Sequence, residues 1–201
     1  HAGVSMEGRG VLAHYDRRMD ELVVFTSTQF PHVIRTILAD SLGISESKLR
    51  VVAPDVGGGF GPKNNFNPEE LAIAALSMKI NRPLRWIEDR REHLIASPHA
   101  REHRYELTAY ADKAGRILGL EAEVVVDAGA YSVWPWTASM EAGMSAGIMT
   151  GPYDVAVYHG TAVSVCTNKS PLGPYRGVGR TGACFAIETL IDAVARAVAE
   201  L

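Results

Sequence analysis

The chain has 201 residues, 47% of them hydrophobic and 21% charged, with a formal net charge of −3. That balance is globular, long enough for one sizeable domain or two small ones, and it carries no nucleic-acid footprint. No apolar run approaches the roughly 18–20 residues of a membrane span, and no basic-then-apolar leader opens the chain.

Val11–Tyr15 and Leu22–Thr26 are β-rich runs around Asp16-Arg17-Arg18-Met19-Asp20, which predicts a hairpin. Pro31 opens a helical pattern in which Val33, Ile34, Ile37, Leu38 and Leu42 share a face, and Gly43 is placed as its C-terminal cap. Leu49–Ala53 reads as a buried strand. Asn67-Pro68-Glu69-Glu70 then signals a helix start, with Leu71, Ala74, Ala75 and Met78 at helical spacing behind it. Asn81-Arg82-Pro83 ends that helix, and Leu84–Ile87 follows as a strand. Arg101–Asp112 and Ile117–Asp127 form the clearest hairpin, with Leu118, Leu120, Ala122, Val124 and Val126 facing one way. Val155–Val165 also alternates, placing Val155, Val157, Thr161, Val163 and Val165 together. Ile187, Leu190, Ile191, Val194 and Val198 mark a closing amphipathic helix. Mixed strands and helices with frequent hairpins and no regular βαβ alternation define an α+β fold. Cys166 and Cys184 read as buried free thiols. An iron–sulfur cluster takes about four thiolates, so any redox relay is expected elsewhere. The first residue is His1 and a helical pattern still runs at Leu201, so both ends read as cut.

Two irregular segments are the candidates for chemistry, although either arginine of the second would more usually be a surface residue with no role. Gly57-Gly58-Gly59-Phe60-Gly61-Pro62-Lys63 follows a strand, and such a run lets backbone N–H groups approach an anion or a metal-bound oxygen. It would equally serve a tight bend with no ligand. A phosphate-binding P-loop is excluded: Pro62 precedes Lys63, Asn64 follows it, and the helix starts only near Pro68. The second segment runs from Thr167 to Arg180, where Arg176 and Arg180 offer planar forks for phosphate or carboxylate. No nucleophile elbow surrounds Ser97. His93, His99 and His103 lack the spacing of a zinc pair and read as decorating a loop and a strand. Asp89-Arg90-Arg91-Glu92 reads as a solvated charge cluster.

In order along nearly the whole chain, these residues resemble the molybdenum-cofactor-binding large subunit of the xanthine dehydrogenase, aldehyde oxidase and carbon monoxide dehydrogenase family. Met6-Glu7 with Arg9-Gly10 is similar to the entry motif of that family, and Thr26–Gln29 with Pro31-His32 to its glutamine segment. Val51–Lys63 is similar to its glycine loop and Arg82-Pro83 with Glu88-Asp89-Arg90 to a further signature. Thr167-Asn168 and Tyr175–Arg180 resemble its arginine loop, with Glu188 and Asp192 in the closing helix. The resemblance implies that residues 1–201 are the first half of a molybdopterin-binding region, one domain or two subdomains of a longer chain. It also implies a molybdenum–pyranopterin cofactor, with the cytosine dinucleotide form as one variant, that oxidises an aldehyde or N-heterocycle with water-derived oxygen. The electrons would pass to 2Fe-2S clusters and FAD on partner subunits or domains. The expected setting is cytoplasmic, with a small-molecule substrate, the remainder of the large subunit as partner, and neither nucleic acid nor membrane span.

Carried over by residue, Gln29 is expected to hydrogen-bond an oxygen ligand of the metal. Gly59, Phe60 and Gly61 are expected to meet its apical ligand through their backbone, and Arg176 to lie near cofactor and substrate. No metal-ligating side chain and no catalytic residue is expected within the segment, the general base being placed beyond Leu201. Gln29, Phe60 and Arg176 should therefore share one cleft, with at least one residue of the glycine loop at positive φ. Pro62 stands where the family usually has glycine. Asn64 stands where purine-oxidising members carry glutamate, which disfavours a purine. Gly177 replaces the copper-binding cysteine of carbon monoxide dehydrogenase, which argues against that activity. Thr181-Gly182 replaces a common Pro-Glu with no derivable consequence. The reading from a different class is an assembly module without catalysis of its own.

Overall fold

The computed structural model describes residues 2–200. Near the N-terminus, alternation drives β1 (Gly10–Asp16) and β2 (Glu21–Thr26) into an antiparallel pair, from Val11↔Thr26 to Asp16↔Glu21. Asp16 closes the turn by accepting the N–H groups of Arg18 and Met19 at 2.8 and 3.3 Å. β3 (Leu49–Val52) adds parallel to β2 and β4 (Leu84–Ile87) antiparallel to β1, giving the order β3-β2-β1-β4. Two helices pack on this sheet. α1 (Pro31–Leu42) ends on Gly43, whose φ of 65° is the left-handed cap expected of glycine. In α2 (Pro68–Ile80), the Glu70 carboxylate accepts the Asn67 N–H at 2.9 Å and the Thr26 hydroxyl at 2.7 Å. Val11, Ala13, Leu22, Val24, Ile34, Leu38 and Ala74 share the core between sheet and helices. Full burial of a Leu- or Ile-sized side chain contributes about 1.5–3 kcal/mol.

A short α3 (Arg90–Ala96) leads to a second sheet, order β5-β6-β7. β5 (His103–Ala111) and β6 (Ile117–Gly129) form the expected hairpin. The Asp112 carboxylate holds its turn through the N–H groups of Ala114 and Arg116, each at 2.9 Å. β7 (Tyr158–Cys166) returns parallel to β6 after α4 (Met140–Gly147), and α5 (Arg180–Ala199) packs on the sheet. Leu120, Ala122, Val124 and Val126 meet Ala183, Ala186 and Ile187 in a second core. Mixed strands and helices with two hairpins bear out the α+β reading.

Several local expectations are corrected. Leu118 is exposed, because the β5–β6 register shifts at Tyr110/Ala111 before the alternation settles. Thr161, Val163 and Val165 are exposed too. The parallel register pairs Val163 with Val125 and Val165 with Asp127, so these residues share the face opposite to Val124 and Val126. Ser164 instead turns inward and donates to the Ala138 carbonyl at 2.9 Å. Both cysteines are exposed rather than buried, Cys166 at the end of β7 and Cys184 on the open side of α5. Asp89, Arg90, Arg91 and Glu92 are all exposed, as expected of a solvated charge cluster, and Asp89 and Glu92 also form the capping box of α3. His93, on that helix, is fully buried instead of decorating a loop. Among the described residues no helix is long and apolar enough to cross a membrane.

Candidate functional site

The backbone leaves β3 at Val52 and stays irregular until Pro68. Gly58, Phe60 and Gly61 take φ values of 95°, 54° and 108°. Phe60 is a non-glycine residue in the left-handed region, an uncommon conformation that neighbouring contacts must sustain. Close approach requires glycine at Gly57 and Gly61, where a Cβ would lie 2.5 Å from Glu7 Cβ and 2.5 Å from the Pro174 carbonyl, and one on Gly59 would lie 2.4 Å from Gln29 Oε1 and displace that side chain.

The loop is held from below by a charge pair. Glu7 Oε2 accepts the Gly57 N–H at 2.8 Å and the Lys63 ammonium at 2.6 Å, while the Glu7 N–H donates to the Gly57 carbonyl at 3.1 Å. The Lys63 side chain is wholly buried. Partial burial works to raise the Glu7 carboxyl, but Lys63 and the Gly57 N–H outweigh it and hold the group below its ordinary value. The Lys63 carbonyl in turn accepts the Gln29 N–H at 3.0 Å. Behind this lies a buried network. Arg9 donates to Glu88 Oε1 at 2.9 and 2.6 Å and to Glu69 at 3.3 Å, and its guanidinium stacks over Trp86. His93 bridges Glu88 and the Gly3 carbonyl at 2.8 and 2.6 Å, and Arg90 donates to the Ser5 carbonyl at 2.6 Å. Burial pushes Glu88 up, and the charge and hydrogen bonds of Arg9 overcome it to hold the carboxyl below its ordinary range. The segment carrying Glu7 is thus anchored from several sides. Breaking a buried pair such as Arg9–Glu88 costs about 3–5 kcal/mol.

The structure brings the five sequence-predicted site residues together. Gln29 Oε1 accepts the Gly61 N–H at 2.8 Å across 32 positions of sequence, and the Phe60 carbonyl accepts the Arg176 N–H at 2.8 Å. Gly59 lies against Gln29. Because an N–H must face the amide oxygen, the exposed Gln29 is oriented with its Nε2 donor uncommitted. The N–H groups of Gly59 and Phe60 also meet no acceptor among the described residues. The Arg176 side chain is exposed. Nearby, Trp136 Nε1 donates to the Asn64 carbonyl at 2.5 Å and the Phe66 N–H to the Trp134 carbonyl at 2.9 Å, so the Trp134–Trp136 turn borders the loop.

Sequence reasoning missed three parts of this arrangement. Lys63 was visible in the loop, but nothing in its spacing marked it as buried against Glu7. Arg101, which reaches the Tyr175–Val178 carbonyls, follows a proline–histidine stretch without periodicity. Glu141 and His103 form the third part. The Glu141 side chain is fully buried with His103 Nε2 3.0 Å from its Oε1 but off the line of a hydrogen bond, while His103 Nδ1 meets the Tyr105 hydroxyl at 2.6 Å.

Uncommitted main-chain donors beside the Gln29 amide, on a loop that also holds the Arg176 backbone, form a module able to hold an oxygen-rich or anionic prosthetic group. Residues 1–199 match the family model of the molybdopterin cofactor-binding domain, and the chain belongs to that family. It is 40% identical over 196 residues to the nicotine 6-hydroxylase large subunit of Paenarthrobacter nicotinovorans, covering 97% of this chain and 24% of that protein. It is 36% identical over 193 residues to a carbon monoxide dehydrogenase large chain of Hydrogenophaga pseudoflava, covering 95% and 24%. Among solved structures, quinoline 2-oxidoreductase from Pseudomonas putida 86 superposes with a TM-score of 0.95 at 41% identity, covering 98% of this chain and 25% of that one. The chain spans about a quarter of the length of these relatives.

Proposed function

We propose that this chain is the first part of the cofactor-binding region of a molybdenum hydroxylase large subunit, acting on an N-heterocycle or an aldehyde. The observation that supports it best is the set of uncommitted donors, Gly59 N–H, Phe60 N–H and Gln29 Nε2, gathered at one open corner beside Arg176. When bound, a molybdenum–pyranopterin would supply two-electron redox chemistry with water-derived oxygen. The chain's share is placement. Gln29 Nε2 and the N–H groups of Gly59 and Phe60 would hold the group, and preorganised donors of this kind stabilise developing negative charge by a few kcal/mol. Arg176 adds positive charge at the same opening. Nicotine and quinoline in the names of two relatives support the N-heterocycle side of the reading. Asn64 and Gly177, at the positions of the purine-binding glutamate and the copper-binding cysteine, weigh against purine and carbon monoxide as substrates. Electron transfer to 2Fe-2S and FAD partners, a cytosine dinucleotide form of the cofactor, residence in the cytoplasm and a general base beyond Leu201 belong to the same proposal.

The test compares the 201-residue chain with the full-length large subunit produced together with its partners, by metal analysis and dye reduction with N-heterocycles and aldehydes. The full-length protein is expected to carry stoichiometric molybdenum and to turn over, and the short chain to do neither. Loss of a general base alone costs about 10²–10⁴ in rate. A full-length protein that takes up no molybdenum in a cofactor-producing host would overturn the assignment.

A further inference from the structure

Arg101 lies outside the residues that the cofactor reading uses, and its backbone sits where an arginine is not at ease. Its φ is 68°, in the left-handed region that favours glycine. Such a conformation persists only where surrounding contacts over-determine it. Those contacts lie at the far end of the side chain. The guanidinium stacks over the Tyr175 ring at 4.8 Å. Its Nη2 donates to the carbonyls of Tyr175, at 3.1 Å, and of Arg176, and its Nε reaches the Val178 carbonyl at 3.5 Å. One planar fork thus gathers three carbonyls of a turn in which Gly177 and Val178 are themselves left-handed, at φ 90° and 51°. Within the turn the Val178 N–H meets the Tyr175 carbonyl at 2.6 Å and the Arg180 N–H the Gly177 carbonyl at 3.0 Å, and the hydroxyls of Thr181 and Ser145 reach the Val178 and Gly179 carbonyls at 3.4 and 3.1 Å. Arg176 is therefore held on both sides, its N–H by the Phe60 carbonyl and its C=O by Arg101.

We propose that Arg101 is a positioning residue, a strap that sets the Tyr175–Gly179 turn and so aims the exposed Arg176 guanidinium at the opening beside Gly59 and Phe60. The identity of what fills that opening rests on the molybdenum reading; the strap itself does not. Lysine cannot substitute, because a point charge on a flexible stem satisfies neither three carbonyls nor a ring face at once.

The experiment uses the full-length large subunit with Arg101→Gly and Arg101→Lys. Glycine accepts a φ of 68° without strain, so Arg101→Gly removes the fork and spares the backbone. Amide hydrogen exchange at Arg176, Val178 and Gly61 is followed in the cofactor-free protein, alone and with guanidinium or ammonium added. Both variants are expected to exchange about tenfold faster there, a change of the size carried by one hydrogen bond, with guanidinium but not ammonium restoring Arg101→Gly. In the loaded complex, kcat is expected to fall in both variants more than KM rises, with partial recovery by guanidinium in Arg101→Gly. Wild-type exchange in both variants, or equal rescue by ammonium, would overturn the strap. If Arg101→Gly does not fold, Arg101→Lys decides: accelerated exchange supports the proposal and unchanged exchange sinks it. Failure of the molybdenum reading shows separately, as a wild-type protein without metal whose exchange response is intact.

Discussion

A Cβ on Gly59 would press to 2.4 Å from Gln29 Oε1. Gly59→Ala must therefore push Gln29 off the Gly61 N–H. Gln29 is exposed and the far end of its side chain can move, so the expected phenotype is a folded large subunit with an unchanged melting point and depleted molybdenum. Wild-type metal content in that variant would remove the donor corner from the explanation. Glu70 gives a prediction in pH. Burial raises its carboxyl from 4.5 to about 7, against the pull of the Asn67 N–H, the Thr26 hydroxyl and Arg9. A folded value above the unfolded one means the protonated form is favoured in the fold. Its stabilising contribution is complete below about 4.5 and lost as pH rises to about 7. Glu7 and Glu88 run the other way: both are held below their ordinary value of 4.5, so their contributions are present above that value and lost as pH falls through the folded ones. The amide in Glu70→Gln can accept the Asn67 N–H and donate to the Thr26 hydroxyl oxygen. Urea titrations from pH 4.5 to 8 should show the variant gaining on the parent by a few kcal/mol across the window. A constant difference between the two would exclude a titrating Glu70.

At the scale of elements, what could be read from sequence follows from periodicity and punctuation. α1 and α2 were legible because apolar spacing agreed with Pro31, Gly43 and Pro68 at the ends. The β5–β6 hairpin was legible because alternation ran on both sides of an Asp-x-x-Gly turn. α3 was missed because its seven residues are too short for a stripe, although Asp89 and Glu92 already spelled a capping box. α4 was missed because it buries Glu141 and Ser145 beside Ala142, and small and polar residues on the inner face erase the pattern. β7 was found but turned over, because alternation states that two faces differ and not which one meets the core; the parallel register with β6 makes that choice. The site divides along the same line. Five of its residues stood out through glycine content and resemblance, while Lys63 and Arg101 depend on contacts that only the folded chain creates.

At the scale of the whole molecule, each sheet has its own core, and the two segments richest in glycine are tied to each other. The Phe60–Arg176 hydrogen bond joins a loop leaving the first sheet to a turn leading into the last helix. That arrangement sets an order of events for the nascent chain. The hairpins β1–β2 and β5–β6 close short loops, whereas the Phe60–Arg176 contact must wait until both supports exist, because distant closures are entropically dearer before either end is fixed. In pulse-labelled refolding, the Arg176 and Gly61 amides are expected to gain protection after those of β1, β2, β5 and β6. Simultaneous protection would point to a single cooperative step. If the order holds, the donor corner is the last region to assemble and the first to loosen. A large, rigid prosthetic group could then be inserted between two finished halves without any sheet having to open.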